Sequence, residues 1–352
     1  MFRNRYVHRD IVKAWSEDGS HVSFYNPITK EKPESRELDS LYYFDYPKFD
    51  GRTAEEIERL ENFLSLTLSA LKSGNPGIIR DADEAGRSSL LFQHTRLPIF
   101  NKFDYIKYGK GVESLRELKT IKGRGYFSSA YADLCADFLK RVADFASGDS
   151  IALMDLEAVL LVPGGGMSFI IGPSAFNAMN PYFEKRFVKC PYVDKDYDIK
   201  GAVLVLPFEP EKALMLYDPS VYELSVRGGS TVALTPSDTD ILNMVQIYNS
   251  DIDGVVYKGG RENLDRLTSL IGTPCYRDGY DWTRGDRFPF STLLSFMSVR
   301  NEAQSNLKKN VKSPLRPFVR AMREFDSTHA MPTDRETFYK RYLYAESLIA
   351  GR

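Results

Sequence analysis

The chain has 352 residues, enough for one large domain or about two of average size. Its 47 basic and 48 acidic side chains leave a formal net charge of -1, so the charge of the whole protein gives no attraction to a polyanion or a membrane. Three widely spaced cysteines, Cys135, Cys190 and Cys275, exclude a disulfide framework and every CxxC motif, which favours a reducing cytosol.

The sequence predicts neither a signal peptide nor a membrane span. Arg3, Arg5 and Arg9 interrupt the apolar stretch that a signal peptide would need. The uncharged stretch 158–183 is long enough to cross a bilayer, but it contains Pro163, three consecutive glycines and two further prolines, which would break a helix. We therefore expect a cytoplasmic protein with no membrane partner.

The first half of the chain begins with a small β unit over residues 1–50, which are rich in Tyr and Phe. Within it, the aromatic run 21–25 ends at Asn26-Pro27 and predicts a short strand. A helical part follows over residues 51–150, with one helix predicted from a capping box at Thr53. Its apolar residues recur at helical spacing: Ile57, Leu60, Leu64, Leu68 and Leu71. A second helix is predicted over 128–145.

A sheet part follows over residues 151–260. Short apolar runs separated by Gly, Pro and Asp predict strands of a mostly antiparallel sheet, at 151–163, 168–171, 202–207, 213–217 and 231–234. A helix from Asp238 to about Tyr248 and a strand over 254–258 complete this part. Helices followed by clustered strands, without regular alternation, indicate an α+β fold.

The remainder is predicted as helix and loop over 261–299, which closes a single body over residues 1–299. A basic helical tail follows over 300–352. The tail begins with seven basic side chains and one acid between residues 300 and 323, a local excess that could contact nucleic-acid phosphates. The candidate residues are Lys308, Lys309, Lys312, Arg316, Arg320 and Arg323, together with Arg300.

The glycine-rich stretch 162–167 lacks the Lys-Ser/Thr and the following helix of a phosphate-binding loop, so we interpret it as a hairpin turn. Asp194, Asp196 and Asp198 alternate before Lys200, next to a predicted strand. Metal-dependent nucleases hold Mg²⁺ with carboxylates in such a position and stabilise developing charge with a lysine. Such a site also needs an acid from a separate element at a longer spacing, and Asp194 is too close to the other two to supply it. A solvated charged loop is the alternative.

Four histidines, His8, His21, His94 and His329, are scattered without the spacing of a zinc site or a Cys-His dyad. His8 is a candidate for a functional role because it lies among arginines and Asp10, where an anion could bind. A surface histidine is the alternative. We expect no cofactor and no metal.

The order of these segments resembles the bacterial and phage-associated proteins grouped as domain of unknown function 4238. That family opens with His-Tyr-Val-Pro, which corresponds here to Arg5-Tyr6-Val7-His8. The further matching segments are the Asp18-Gly19 turn with the strand 22–26, the amphipathic helix 55–71, the strand 201–210, Leu242-Asn243 with Gln246, and the strand 255–257. The resemblance covers about residues 5–258.

The departures from the family pattern concern its polar positions. The leading His of the family falls on Arg5 and its Pro on His8, while its Ser-Asp-x-Pro falls on residues 172–175, Gly-Pro-Ser-Ala. If that His and Asp are catalytic in the family, this chain lacks both. The resemblance implies a prokaryotic or viral cytosolic setting, with a role in phage conflict, and it implies no reaction.

Each of these catalytic patterns lacks a necessary group. The leading hypothesis is therefore a non-catalytic binding or assembly module, whose partner is another protein, a second copy of the chain or a nucleic acid. The alternative is a metal-dependent nucleic-acid hydrolase of nuclease or toxin type that uses Asp194, Asp196, Asp198 and Lys200, with His8 as a further candidate.

Overall fold

A computed structural model describes about half of the chain. The described residues are 2–26, 33–46, 50–76, 84–96, 156–181, 201–225, 230–248, 254–258 and 293–300, with the single positions 140, 143, 146, 153, 265, 266 and 269. Helices and mostly antiparallel sheets occur together in these ranges, which confirms the predicted α+β class. Among the helices in these ranges, none is both long enough and apolar enough to cross a membrane.

The N-terminal residues form two small sheets around a short helix. Strand β1 (Phe2–Arg5) pairs with β4 (Tyr43–Tyr46), and α1 (Arg9–Lys13) follows β1. The predicted strand 21–25 is confirmed as β2 (His21–Tyr25), which pairs with β3 (Glu34–Glu37) on one side. On its other side it pairs with a strand from much later in the chain, β11 (Val255–Tyr257).

The long helix α2 (Gly51–Lys72) buries the predicted apolar stripe from Ile57 to Leu71. Its N-cap is Asp50, whose carboxylate accepts hydrogen bonds from the Thr53 backbone N–H at 2.8 Å and from the Thr53 hydroxyl at 3.0 Å. The prediction that Thr53 caps the helix was wrong by one turn, because Asp is an equally good cap and the Thr53 hydroxyl donates to it.

A second helix, α3 (Glu84–Thr95), packs against α2 and was not predicted from the sequence. Its polar residues Arg87, Ser88, Ser89 and Gln93 are buried, so the helix lacks the clear apolar stripe that marks α2. The predicted helix over 128–145 lies outside the described residues except at Lys140 and Ala143, which are helical.

The largest described sheet has five strands, in the order β10-β5-β8-β7-β6. All neighbours are antiparallel except β10 and β5, and the inner strands β7 and β8 are almost wholly buried. The strands are β5 (Glu157–Val162), β6 (Asn177–Met179), β7 (Val203–Glu209), β8 (Lys212–Tyr217) and β10 (Thr231–Ala233). Strands β5 and β10 lie within predicted apolar runs, β7 and β8 extend beyond theirs by two residues and by one, and β6 was not predicted.

One further helix and one further pair of strands are described. Helix α4 (Pro236–Tyr248) confirms the helix predicted from Asp238 to about Tyr248. Strand β9 (Tyr222–Leu224) pairs with β12 (Met297–Val299), although the sequence predicted helix and loop over 261–299. The backbone of Ser225 donates to Phe296 at 2.9 Å, and Arg300 donates to Val221 at 2.8 Å, so distant pairing makes this segment a strand.

The glycine-rich stretch 162–167 forms a turn, but not the turn of a β-hairpin. Residues 168–171 do not pair with β5, and Ile171 instead forms an isolated antiparallel bridge with Val256. The turn rests on the start of α4, where the Gly164 backbone N–H donates to the Thr239 hydroxyl at 3.1 Å. A Cβ atom at position 164 would lie 2.1 Å from the Leu234 carbonyl oxygen, so close contact with the backbone determines the path of the turn.

The segment 168–176 that follows this turn passes through the core outside any regular strand. Asn243 of α4 accepts from the Ile170 N–H at 3.1 Å and donates to the Ser168 carbonyl at 3.0 Å. Gln246, one turn further along, accepts from the Gly172 N–H at 3.0 Å and donates to the Ala175 carbonyl at 3.0 Å. The two amide side chains thus pair with this backbone as a neighbouring strand would.

Three further carbonyls of segment 168–176 receive donors from elements far away in sequence. The Trp15 indole donates to Phe169 at 2.8 Å, and the Tyr42 hydroxyl donates to Ile171 at 3.1 Å. His94 of α3 donates from Nδ1 to Phe176 at 2.7 Å. The segment therefore joins the N-terminal unit, α3 and α4.

The turn allows a direct test of this packing. Gly164→Ala places a methyl group against the Leu234 backbone, and we expect it to lower the free energy of unfolding by about 3 kcal/mol or more, the upper range for overpacking. Gly166→Ala is the matched control, because φ is +72° there and nothing lies within 4 Å of the added atom. Its expected cost is only the roughly 1–2 kcal/mol of a left-handed backbone. Equal losses in urea denaturation would contradict the contact.

Candidate functional site

Most residues of the predicted sites lie outside the described residues. This holds for Asp194, Asp196, Asp198 and Lys200, and for the basic residues from Lys308 to Arg323. The strand predicted next to Lys200 is present as β7. Of the residues proposed for catalysis, the structure describes His8, and the candidate site is built from its surroundings.

His8 is buried and caps the start of α1. Its Nδ1 accepts a hydrogen bond from the Asp10 backbone N–H at 3.2 Å, and its Nε2 lies 3.0 Å from a carboxylate oxygen of Glu61 in α2. Its backbone N–H donates to the Gln93 side-chain oxygen in α3 at 3.0 Å. Because Nδ1 accepts from an N–H group, the ring proton is assigned to Nε2, which donates to Glu61.

Arg96, directly after α3, is the buried cation of this group. Its side chain has no exposed surface, and its guanidinium pairs with Glu61 through Nη1. It also donates to the Gln93 side-chain oxygen at 2.5 Å and to the Tyr6 carbonyl at 3.1 Å. A buried charge is tolerated only when it is paired and hydrogen-bonded, and Arg96 meets both conditions.

Glu61 connects the arginine to the histidine and keeps about a quarter of its side chain exposed. Burial raises the pKa of its carboxyl, but the Arg96 charge and the hydrogen bond from His8 together outweigh burial and lower that pKa below its ordinary value. Glu61 is therefore a carboxylate at neutral pH and is unsuited to act as a general acid.

Ser65 and Asp10 complete the group, which we call the His8 cluster: His8, Asp10, Glu61, Ser65, Gln93 and Arg96. The Ser65 hydroxyl donates to Asp10 at 2.7 Å and lies 3.5 Å from His8 Nε2. A serine nucleophile needs a free ring nitrogen to take its proton, with the acid on the other nitrogen. In this structure Glu61 and Ser65 face the same nitrogen, which carries a proton, so His8 cannot activate Ser65 as a base.

The arginines near His8 in sequence point to other partners. The Arg5 guanidinium donates to the Leu38 carbonyl at 2.9 Å and to Asp39 at 2.5 Å, and Arg9 lies 3.4 Å from the same carboxylate. Apart from Asp10, the partners of the His8 side chain and backbone N–H come from residues more than 50 positions away. The sequence signal that could have found them is the Gln93 and Arg96 pair, two polar residues at helical spacing.

Asp238 is a second buried acid, and its contacts are structural. It forms a capping box with Thr235 at the start of α4, and it accepts from the backbone and hydroxyl of Ser295 at 2.7 and 2.6 Å. Burial raises the pKa of the carboxyl, but hydrogen bonds from Ser295 and Thr235 lower it overall. Asp238 thus ties the segment before β12 to α4.

Metal binding finds no support within the described ranges. No three His, Cys, Asp or Glu side chains there are grouped so that they could hold a metal ion. In the His8 cluster, the fixed charge of Arg96 beside Glu61 also opposes a cation at that carboxylate.

Comparison of the chain with protein-family models, with curated proteins and with solved structures finds no match. The resemblance to domain of unknown function 4238 therefore stays a prediction. Two of the residues that carry it, Asn243 and Gln246, hold the backbone of the segment 168–176, which is a structural role.

His94 makes the stability of the fold depend on pH. Burial lowers the pKa of its ring below the ordinary 6.5, and its hydrogen bond to Phe176 only partly offsets this. The unfolded chain therefore takes up a proton at a higher pH than the folded chain, and the free energy of unfolding falls as pH falls below about 6.5. The loss can reach about 1.4 kcal/mol per pH unit for one such group.

His94→Asn tests this, since an asparagine side chain can still donate near the position of Nδ1 but cannot become charged. We expect the variant to lose less stability than the natural chain between pH 7.5 and pH 5.5, measured by urea denaturation. The carboxyl groups with lowered pKa lose their contributions at still lower pH, so they do not affect this comparison. Parallel losses in the two proteins would contradict a neutral buried ring.

Proposed function

We propose that the protein is a cytoplasmic, non-catalytic binding or assembly module. One observation carries the proposal: in the His8 cluster, where acids, a histidine, a serine and an arginine converge, the hydrogen-bonding groups of the ring are already used. Nδ1 caps α1, Nε2 donates to Glu61, and Glu61 balances Arg96. This arrangement supports a cluster that holds α1, α2 and α3 together.

The resemblance to domain of unknown function 4238 adds a setting to this proposal. It implies a prokaryotic or viral cytosol, with a role in conflict between phages or mobile elements and their hosts. The partner is then a protein, a second copy of the chain, or a nucleic acid bound through the basic segment 300–323. Because the net charge is -1, nucleic-acid binding would depend on that local segment.

The nucleic-acid partner is tested by changing Lys308, Lys309 and Lys312 together to Glu. We expect the variant to elute from heparin and from immobilised DNA at lower salt. The slope of log affinity against log salt should become shallower by about 0.9 for each phosphate that the variant no longer neutralises. The measurement is retention over a salt gradient, followed by titration of labelled DNA at three salt concentrations.

A matched control separates local contact from net charge. Lys13, Arg52 and Lys258 are exposed in the described part, and changing all three to Glu alters the net charge by the same amount. This control should retain its affinity for DNA. If both triple variants elute like the natural chain, segment 300–323 does not bind nucleic acid, and a protein partner or self-association is favoured.

A metal-dependent nucleic-acid hydrolase is the second candidate. It is supported by the alternating Asp194, Asp196 and Asp198, which precede Lys200 and the buried inner strand β7 of the five-stranded sheet. Carboxylates next to such a strand can hold Mg²⁺ for phosphodiester cleavage.

The hydrolase predicts cleavage of DNA or RNA that requires Mg²⁺ and is abolished by Asp198→Asn. Asp265→Asn, at an exposed acid on the described surface, should leave the cleavage unchanged. Absence of Mg²⁺-dependent cleavage by the natural chain would reject this candidate and leave the binding module.

A further inference from the structure

We propose that protonation of His8 changes the partner of Asp10, which leaves Ser65 of α2 and pairs with the ring. The inference does not depend on the proposed function. It states that the contact between α1 and α2 within the His8 cluster changes when the ring takes up a proton.

When the His8 ring is neutral, its Nδ1 atom and the Asp10 carboxylate have different hydrogen-bond partners. His8 Nδ1 accepts from the Asp10 backbone N–H at 3.2 Å, while the Asp10 carboxylate accepts from the Ser65 hydroxyl at 2.7 Å. The Asp10 side chain is thus the bridge from α1 to α2, and Nδ1 is the cap of α1.

A proton taken from solvent can bind only at Nδ1, because Nε2 already carries one. Nδ1 then becomes a donor and faces the Asp10 N–H group, so the cap breaks. An Asp10 carboxylate oxygen lies 4.0 Å from Nδ1 and belongs to a side chain that is 46% exposed. A movement of about 1 Å brings this oxygen to the distance of a charge-assisted hydrogen bond. Because the same oxygen accepts from the Ser65 hydroxyl, we infer that the movement lengthens that bond.

The charges around the ring favour this exchange. Glu61 of α2, 3.0 Å from Nε2, and Asp10 of α1 both attract the protonated ring. Arg96, after α3, opposes a second cation, but its charge is balanced by Glu61. Arg9 of α1 pairs with Asp39.

The experiment uses Ser65→Ala in the full chain at two pH values. The ring ¹⁵N signals of His8 identify the pH at which it is neutral and the pH at which it is protonated. With a neutral ring, Ser65→Ala removes the bond to Asp10 and should lower the urea midpoint. With a protonated ring, that bond is already broken, and the substitution should leave the midpoint nearly unchanged.

His8→Asn provides the control, because asparagine caps a helix well and cannot become charged. In that background Ser65→Ala should lower the midpoint equally at both pH values. A pH-independent effect of Ser65→Ala in the presence of His8 would overturn the proposal. A ring that stays neutral until the chain unfolds would overturn it as well.

A second measurement needs no variant. The Asp10 amide proton should move upfield as the His8 ring signals titrate, since this amide loses its acceptor, and its midpoint should coincide with that of the ring. An Asp10 amide signal that stays in place while the ring becomes protonated would show that the cap survives and that the exchange does not occur.

Discussion

Burying a stretch of backbone outside a regular strand is the constraint on which the described structure depends. Four successive N–H groups, from Phe169 to Gly172, lie in the core, and a buried donor without a partner costs about 1–3 kcal/mol. Each of the four has an acceptor: the Pro210 carbonyl, Asn243, the Val256 carbonyl and Gln246. Because these acceptors come from different elements, pairing this segment requires the elements to be assembled together.

The same constraint accounts for a strained residue in the N-terminal unit. Tyr42 is the one described non-glycine residue with positive φ, at 52°. This conformation costs roughly 1–2 kcal/mol for such a residue. The single proton of the Tyr42 hydroxyl faces the carbonyl oxygens of Gly254 at 2.7 Å and of Ile171 at 3.1 Å. The Ile171 carbonyl already accepts from the Val256 N–H, so Gly254 is the carbonyl that gains a donor.

The buried charge of the His8 cluster, like the buried backbone, requires hydrogen-bond partners. Removing a guanidinium from water is expensive, so Arg96 is surrounded by acceptors, and Glu61 in turn gains a donor from His8. Such a network specifies how helices meet more than it adds stability. His8 contributes to the contact between these helices, and its Nδ1 atom is where we propose that a further proton binds.

Local patterns of the sequence determined the elements whose signal is periodic. The stripe from Ile57 to Leu71 specified α2, and apolar runs specified β5, β7, β8 and β10, because burial on one face or on both leaves a regular trace. Only the tertiary structure decided that Asp50 caps α2, that 168–171 leaves the sheet, and that His8 meets Glu61 and Arg96. A hydrogen bond forms with whichever of several possible donors or acceptors comes within about 3 Å, and the sequence does not show which one does. For His8, the partners are distant in sequence and meet only when the chain folds.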